Sequence, residues 1–238
     1  LESAMAQEGP WLNRIIVIDD GSTDNTAAVV AAVASDRIHL VCTSNQGVAK
    51  ARNLGISQSR APWIAFLDAD DWWEKDKLAI QLNAAEQSGA GFVCGAVNHQ
   101  PVSGARVISA WALWRGNYVA TSSVLVQREV LMQIAPVFQT DMRFAEDYLA
   151  WLKCLTLTKG YYVASNVATY ILSETPRYSW GQIITNLARL NIIFAGFLWG
   201  RECGLPKKAL LPAVLLVGSL VSLVSIAKRF LSPANCRG

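Results

Sequence analysis

Histidine is scarce in this sequence, because only His39 and His99 occur among its 238 residues. This scarcity argues against a multi-histidine metal site and a histidine-based triad, so carboxylates are left to carry any acid–base chemistry. The five cysteines are scattered and form no C-x-x-C pair. Their arrangement excludes an evident disulfide framework or zinc knuckle and fits a reducing compartment.

Charge is also low. Charged residues make up 16% of the chain and the net charge is only +3, which is too weak to indicate a nucleic-acid partner. Hydrophobic residues make up 52%, which indicates a folded chain rather than a disordered one. The length allows one full α/β domain with an appendage. The chain starts without a methionine or a signal sequence, and residues 1–7 resemble the end of a helix, so we expect that an upstream strand is missing.

The first hundred residues alternate between short β-branched runs and helical segments, each helix closing before the next strand begins. This alternation is typical of an α/β fold, and it predicts a mostly parallel central sheet. Residues 98–120 predict loops and an irregular strand. The predicted strands are Arg14–Ile18, Ile38–Cys42, Pro62–Leu67, Ala90–Val97, Thr121–Val126 and Tyr161–Leu172, and the predicted helices are Asp24–Ala34, Gly47–Gln58, Glu74–Gln87, Arg128–Ile134 and Ala145–Leu157.

Acidic clusters follow two of the predicted strands, Asp19-Asp20 after the first and residues 68–71 (Asp-Ala-Asp-Asp) after the third. In a parallel α/β sheet, ligands bind beyond the carboxyl ends of the strands. Neighbouring carboxylates repel one another unless a cation or hydrogen-bond donors lie between them. The alternative is that these residues are ordinary helix caps, but two clusters at equivalent strand ends favour a ligand site.

The D-x-D spacing in the second cluster suits two different ligands, a ribose hydroxyl and a hard cation such as Mg²⁺ or Mn²⁺. This pattern also occurs in calcium loops and in phosphatases. An EF-hand starting at Asp68 would need Gly and Glu at positions where Trp73 and Ala79 stand. Trp72 likewise replaces the Thr or Val that haloacid-dehalogenase phosphatases carry, so both of these classes fail.

A third cue is the segment 45–55, which follows the second strand and opens a helix. Lys50 and Arg52 place cationic donors near a helix start, where they suit a diphosphate or a base. Composition alone leaves the alternative of an ordinary solvated helix face equally open.

Taken together, these segments closely resemble the family 2 glycosyltransferases with the GT-A fold. The resemblance covers residues 1–172 and becomes specific because the motifs occur in the right order and spacing. The matching segments are residues 15–24 (IIVIDDGSTD), residues 45–55 (NQGVAKARNLG), residues 66–71 (FLDADD), residues 121–126 (TSSVLV) on the acceptor side, and residues 144–147 (FAED) with the "ED" motif.

The resemblance implies roles for individual residues. It implies that Asp20 contacts the nucleotide base with Arg52 nearby, that Asp68 contacts the ribose or nucleotide, and that Asp70 is the ligand of a Mg²⁺ or Mn²⁺ ion. Asp147 is similar to the catalytic base, which agrees with the chemistry, because an acceptor hydroxyl needs a carboxylate to take its proton. The alternative for Asp147 is an aspartate that only stabilises a helix N-terminus.

The chain departs from the family pattern in three respects. From the resemblance, we expect that the family's first strand, which contributes nucleotide contacts, is missing and that the given residues alone lack full activity. The Q-x-x-R-W motif of processive polysaccharide synthases is absent, so a single-transfer enzyme is expected. The basic or histidine residue that these enzymes often place on a late loop is not obvious, and Arg177 is the candidate for a diphosphate-binding lid.

The composition changes after residue 172, and we therefore divide the chain into a GT-A catalytic domain (1–172) and an apolar helical region (173–238). Residues 180–199 predict an apolar helix that suits a membrane interface. Residues 209–227 carry no charge and would form a helix of roughly 28 Å, close to the thickness of a bilayer core. This second helix could span the bilayer, lie in its interface or pack as part of a buried helical hairpin.

The sequence thus predicts an inverting, metal-dependent, non-processive glycosyltransferase that uses a nucleotide-diphosphate sugar. We expect it at the cytoplasmic face of the membrane, acting on a glycan or lipid-linked acceptor in surface polysaccharide or glycolipid synthesis. Two alternatives remain open. One is a catalytically impaired module that still binds nucleotide, and the other is a membrane scaffold whose apolar tail is the functional part.

Overall fold

The computed structural model describes residues 1–7, 9–33, 35–99, 104–142, 144–171 and 180–200. Within these residues the strands are β1 (Ile15–Asp19), β2 (Ile38–Cys42), β3 (Trp63–Ala65), β4 (Trp72–Trp73), β5 (Phe92–Val97), β6 (Arg106–Ile108), β7 (Leu125–Gln127) and β8 (Gly160–Thr169). The helices are α1 (Glu2–Met5), α2 (Thr26–Ala32), α3 (Val48–Gln58), α4 (Lys77–Ser88), α5 (Ala110–Trp114), α6 (Arg128–Met132), α7 (Glu146–Cys154) and α8 (Trp180–Gly200). A 3₁₀ turn covers Thr121–Ser123.

The strands form two sheets. Strands β1 and β2 pair with each other in parallel, and the larger sheet has the order β3-β7-β5-β8-β4, with β6 also paired to β8. The prediction of a mostly parallel sheet was wrong, because β5–β8 is the parallel pair of the larger sheet while β3–β7, β5–β7, β4–β8 and β6–β8 are antiparallel. The alternation of strands and helices assumed that every connection is a crossover. Instead, β7, which follows the 3₁₀ turn, lies between β3 and β5 and runs antiparallel to both.

The predicted strand Thr121–Val126 is therefore only partly a strand. Its first three residues form the buried 3₁₀ turn, and the strand starts at Leu125. The irregular stretch 98–120 contains the short strand β6 and the helix α5, which Ser109 caps by accepting a hydrogen bond from the Ala112 N–H. These elements are too short for a periodic hydrophobic pattern to reveal them.

Helix α7 lies in the core. Trp151, which is fully buried, packs its ring against those of Phe66, Phe92 and Phe138, with centroid distances of 5.4, 5.7 and 5.5 Å. In this fully described helix, Asp147 is the one residue that is not buried. The packing therefore fixes the position of α7 and leaves one carboxylate accessible at its start.

Helix α8 packs on the domain through a stripe of side chains at helical spacing. Leu190 and Phe194 belong to the main core, and the Asn191 side chain accepts a hydrogen bond from Trp114 Nε1 at 3.1 Å. Part of the apolar surface of this helix thus packs against the protein, whereas Ile192 is exposed, and the membrane-interface position stays a prediction. Within the described ranges, no helix combines the length and the hydropathy needed to cross a bilayer. Arg177 and the predicted helix at 209–227 lie outside the described residues.

Lys77, in the first turn of α4, is fully buried. Its ammonium group donates to Gln81 Oε1 and lies 4.7 Å from the centroid of the Trp73 ring. Burial lowers the pKa of Lys77 from 10.5 to about 7. A lysine in such surroundings is costly to charge, so the fold holds it against an electrostatic penalty.

We expect Lys77→Met to raise the free energy of unfolding by about 1–3 kcal/mol near pH 7. The pKa of Lys77 is lower in the folded state than in the unfolded state. Lys77 therefore imposes no charging penalty on folding above about pH 10.5, and the penalty grows as the pH falls to about 7. The advantage of methionine should therefore shrink toward about pH 10. Urea unfolding across this pH range measures the difference, with the exposed Lys75→Met as the matched control. A gap between Lys77→Met and wild type that stays constant with pH would contradict the assignment.

Candidate active site

The first acidic cluster ties the end of β1 to the start of α3. The Asp20 carboxylate accepts hydrogen bonds from the Thr43 hydroxyl at 3.0 Å, the Gln46 N–H at 2.9 Å and the Gly47 N–H at 2.6 Å. Desolvation raises the pKa of Asp20, but these hydrogen bonds and the charge of Lys50 outweigh it and bring the pKa below its ordinary value. Asp20 is therefore ionised at neutral pH and holds the loop before α3. Its contact with a nucleotide base stays a prediction.

The glycine that follows this cluster is required by the backbone. Gly21 has φ +79°, and a Cβ at this position would lie 2.6 Å from the backbone nitrogen of Asn45. L-residues with side chains rarely adopt this conformation, and the space is closed as well. The D-D-G sequence therefore allows the turn after β1 to approach the loop that leads into α3.

Arg52, on α3, joins the second acidic cluster to the start of α7. Its Nη2 donates to both carboxylate oxygens of Asp68, at 2.7 and 3.0 Å, and its Nη1 donates to Glu146 Oε1 at 2.9 Å. Burial lowers the pKa of Arg52, but the carboxylates of Asp68, Asp147 and Glu146 more than offset this, so its pKa is raised. A largely buried cation thus balances three carboxylates that are distant from it in sequence.

Glu146 is the other partner of this ion pair and is buried. Burial raises the pKa of Glu146, and the negative charge of Asp147 raises it further, whereas Arg52 opposes both effects. Removing one partner of a buried ion pair leaves an uncompensated charge, so Glu146 and Arg52 depend on each other. The "ED" motif predicted a role for Asp147 but none for Glu146.

The Arg52 guanidinium also makes a cation–π contact, with its central carbon 5.4 Å from the centroid of the Phe138 ring. Asn53, the next residue, fixes the Phe138 backbone with two hydrogen bonds, from Asn53 Nδ2 to the Phe138 carbonyl at 2.8 Å and from the Phe138 N–H to Asn53 Oδ1 at 3.0 Å. The Arg-Asn pair in the sequence motif therefore acts as one unit. The motif signalled that Asn53 matters, but not which distant residue it holds.

The second acidic cluster forms a loop after β3. Asp71 is buried, and its carboxylate accepts hydrogen bonds from the Ser122 hydroxyl at 2.6 Å and the Ile171 N–H at 3.0 Å. Burial raises the pKa of Asp71. Both Asp71 oxygens are thus engaged in holding the loop, whereas Asp70 is exposed and Asp68 is shared with Arg52.

Asp147 lies in the first turn of α7, two residues after the N-cap Ala145, which adopts a left-handed conformation with φ +63°. One oxygen of its carboxylate accepts from the Thr121 hydroxyl at 2.9 Å, and the other accepts from the Tyr148 N–H at 2.7 Å. The positive end of the helix favours a carboxylate here. Asp147 thus stands at the helix N-terminus and is only partly buried, and its role as the catalytic base stays a prediction.

The oxygen chemistry of Asp68 and Asp70 suits a hard cation. In the described ranges, no group of three or more His, Cys, Asp or Glu side chains has a metal-binding arrangement. Mg²⁺ commonly takes one or two protein carboxylates and completes its coordination with substrate phosphates and water, so such a group is not required. Asp70, exposed at the tip of this loop, fits the part of a carboxylate ligand in a site of that kind.

The structure thus brings together Arg52, Asp68, Glu146 and Asp147, while Asp20 contacts residues 43–47, which lead into the N-terminus of the helix that carries Arg52. Solved structures with this architecture include TarS of S. aureus in complex with UDP-GlcNAc, which superposes with a TM-score of 0.74 at 16% identity over 99% of this chain and 69% of that one. This likeness establishes the GT-A type of α/β fold.

Relatives with similar sequences include the succinoglycan biosynthesis protein ExoO of Rhizobium meliloti, 43% identical over 91 residues, and the UDP-Glc:alpha-D-GlcNAc-diphosphoundecaprenol beta-1,3-glucosyltransferase WfaP of Escherichia coli, 28% identical over 171 residues. These alignments cover 38% and 66% of this chain, and they span 26% and 63% of the relatives' own lengths. The model of the family "Glycosyl transferase family 2" matches residues 1–134, more than half of the sequence. The chain therefore belongs to glycosyl transferase family 2.

Proposed function

We propose that the protein is an inverting, metal-dependent, non-processive glycosyltransferase that moves a sugar from a nucleotide diphosphate to an acceptor hydroxyl. One observation carries the proposal: Arg52 ion-pairs with both Asp68 of the acidic loop and Glu146 beside Asp147. This arrangement supports the proposal, because the carboxylates proposed for the donor side and the neighbour of the proposed base share one cation. Family membership and the S. aureus structure with UDP-GlcNAc support a uridine diphosphate sugar as the donor.

In this proposal, the chemistry is a single displacement. The acceptor oxygen attacks the anomeric carbon from the face opposite the leaving group, and its proton passes to a carboxylate oxygen of Asp147. The bond between the anomeric carbon and the diphosphate oxygen breaks, and its electron pair leaves with the diphosphate. Asp70 would hold the Mg²⁺ or Mn²⁺ ion, with Asp68 beside it on the ribose. When bound, the ion neutralises charge on the departing diphosphate.

For the acceptor, we propose a lipid-linked or glycan hydroxyl in surface polysaccharide or glycolipid synthesis. The named activity of the E. coli relative, on a diphosphoundecaprenol-linked sugar, supports this choice, as does the role in succinoglycan biosynthesis that the name of the R. meliloti relative states. The absence of a Q-x-x-R-W sequence from this chain supports a single transfer.

Calorimetry with UDP and Mn²⁺ tests the proposal at the level of binding. We expect metal-dependent binding of UDP by wild type and weaker binding by Asp68→Ala. Binding together with donor turnover supports the enzyme, whereas binding without turnover would instead indicate a nucleotide-binding module. No binding at all would contradict both of these and favour the membrane-scaffold alternative.

We also propose that the protein works at the cytoplasmic face of the membrane, and the uncharged stretch 209–227 supports this. Because α8 packs into the core, the informative deletion removes residues 201–238 and keeps α8. We expect the full chain to stay with membranes after carbonate washing and to be released by detergent, and the deletion variant to leave the membrane. Full-length protein in the supernatant without detergent would contradict the proposal.

A further inference from the structure

Three consecutive hydroxyl side chains occupy the 3₁₀ turn Thr121–Ser123, and all three residues are buried. Their hydroxyls go to different partners. Thr121 donates to Asp147 Oδ2 at 2.9 Å, and Ser122 donates to Asp71 Oδ2 at 2.6 Å. Ser123 donates to the carbonyl of Ala120 at 2.7 Å and so stays within the turn. The adjacent residues Thr121 and Ser122 therefore bind two different carboxylates, one at the start of α7 and one in the acidic loop.

Ser122 forms hydrogen bonds with both ends of the acidic loop, at Asp68 and at Asp71. In addition to binding Asp71, its hydroxyl accepts a hydrogen bond from the Asp68 N–H at 3.0 Å. Its carbonyl accepts from Trp73 Nε1 at 2.9 Å, just beyond the loop. A single fully buried residue thus fixes the start, the end and the exit of the segment that carries Asp68 and Asp70.

The turn is itself fixed to the core. The Ser123 carbonyl accepts from Gln81 Nε2 at 2.7 Å, and the Phe66 N–H donates to the Val124 carbonyl at 3.4 Å. Consecutive Cα atoms lie about 3.8 Å apart across a trans peptide, so the turn offers little freedom between its two outer contacts. This dipeptide therefore links Asp147 to the acidic loop through hydroxyl groups, in addition to the link that Arg52 makes between Asp68 and Glu146.

We propose that Thr121 and Ser122 are positioning residues that keep the base and the donor-side loop in register for transfer; this rests on the function proposed above. Thr121 engages one oxygen of Asp147 and so fixes the direction of the carboxylate. Ser122 gives the loop the shape in which Asp68 and Asp70 meet the nucleotide diphosphate. The two hydroxyls should consequently affect different kinetic constants, although their residues are neighbours.

The test is a comparison of kcat and donor KM for matched variants in the same turn. Thr121→Val keeps the shape and removes the hydroxyl, and we expect kcat to fall about tenfold with donor KM within about twofold of wild type. Thr121→Ser, which keeps the hydroxyl, should recover most of the rate. Ser122→Ala should raise donor KM and the Kd for UDP about tenfold, with the smaller effect on kcat. Ser123→Ala is the control and should change neither constant.

Equal changes in Thr121→Val and Ser122→Ala, or changes no larger than those of Ser123→Ala, would overturn the inference. Thermal unfolding followed by circular dichroism shows whether each variant is folded. If Ser122→Ala does not fold, Ser122→Cys, which keeps a weak donor, takes its place with the same expectation. The two proposals fail separately: a wild type without donor turnover removes the proposed function, whereas an active wild type without this split removes only the positioning roles.

Discussion

Asp147→Asn is expected to lower sugar transfer by on the order of 10²-fold or more while leaving donor binding nearly intact. The asparagine side chain has the same size, and its oxygen can still accept from the Tyr148 N–H while its amide NH₂ donates to the Thr121 hydroxyl, but it cannot take a proton from the acceptor. Because α7 is otherwise buried, the substitution changes an accessible group without disturbing the packing of Trp151. Initial rates of transfer and calorimetric titration with UDP measure the two quantities separately.

The matched control is Asp36→Asn, an exposed aspartate in the turn before β2. It makes the same chemical change away from the site and should leave both rate and affinity unchanged. An unchanged transfer rate in Asp147→Asn would remove this residue from the mechanism. A parallel loss of UDP affinity would instead reduce Asp147 to stabilising the start of α7.

Asp70→Ala is expected to abolish metal-dependent turnover, because it removes an oxygen ligand where the diphosphate charge develops. Asp68→Ala should mainly weaken nucleotide binding, and it also deprives Arg52 of its bidentate partner. Rates measured against Mn²⁺ concentration, together with UDP affinity, distinguish these effects. We therefore predict that loss of Asp70 removes the metal-dependent rate, whereas loss of Asp68 mainly lowers the affinity for UDP, although one residue separates the two aspartates.

Asp76→Ala serves as the control, since Asp76 is exposed and makes no capping hydrogen bond at the start of α4. It should behave as wild type in both assays. If Asp70→Ala kept wild-type activity while Mn²⁺ remained strictly required, the metal site would lie elsewhere. Loss of folding in Asp70→Ala would be visible by circular dichroism and is not expected for an exposed side chain.

Local patterns were sufficient for most elements that precede α8. Strand β2 has the predicted bounds, Ile38–Cys42, because a β-branched run between a turn and a polar loop has few alternatives. The direction of the strands was not predictable in this way. Neither β3 nor β7 exceeds three residues, and nothing within such a run encodes whether its neighbour runs parallel or antiparallel.

The candidate site shows the same division. The motifs identified Arg52, Asp68 and Asp147 as chemically special, and the structure joins Arg52 to Asp68 and to the residue beside Asp147. Glu146 could not be assigned a partner beforehand, because its ion pair with Arg52 joins residues 94 positions apart. Ser122 was also missed, since a serine in a strand-like segment carries no local sign that its hydroxyl will meet Asp71.

The most direct test of the central claim is a screen of nucleotide-diphosphate sugars for release of the nucleoside diphosphate by the full chain with Mn²⁺. The proposed function predicts that wild type hydrolyses at least one uridine diphosphate sugar, that a chelator stops the release, and that Asp70→Ala is inactive. It further predicts that Asp36→Asn retains the wild-type rate. The contradicting result would be a folded wild type that, in the presence of Mn²⁺, neither binds nor hydrolyses any of these donors. This result would contradict the claim that the protein is a glycosyltransferase.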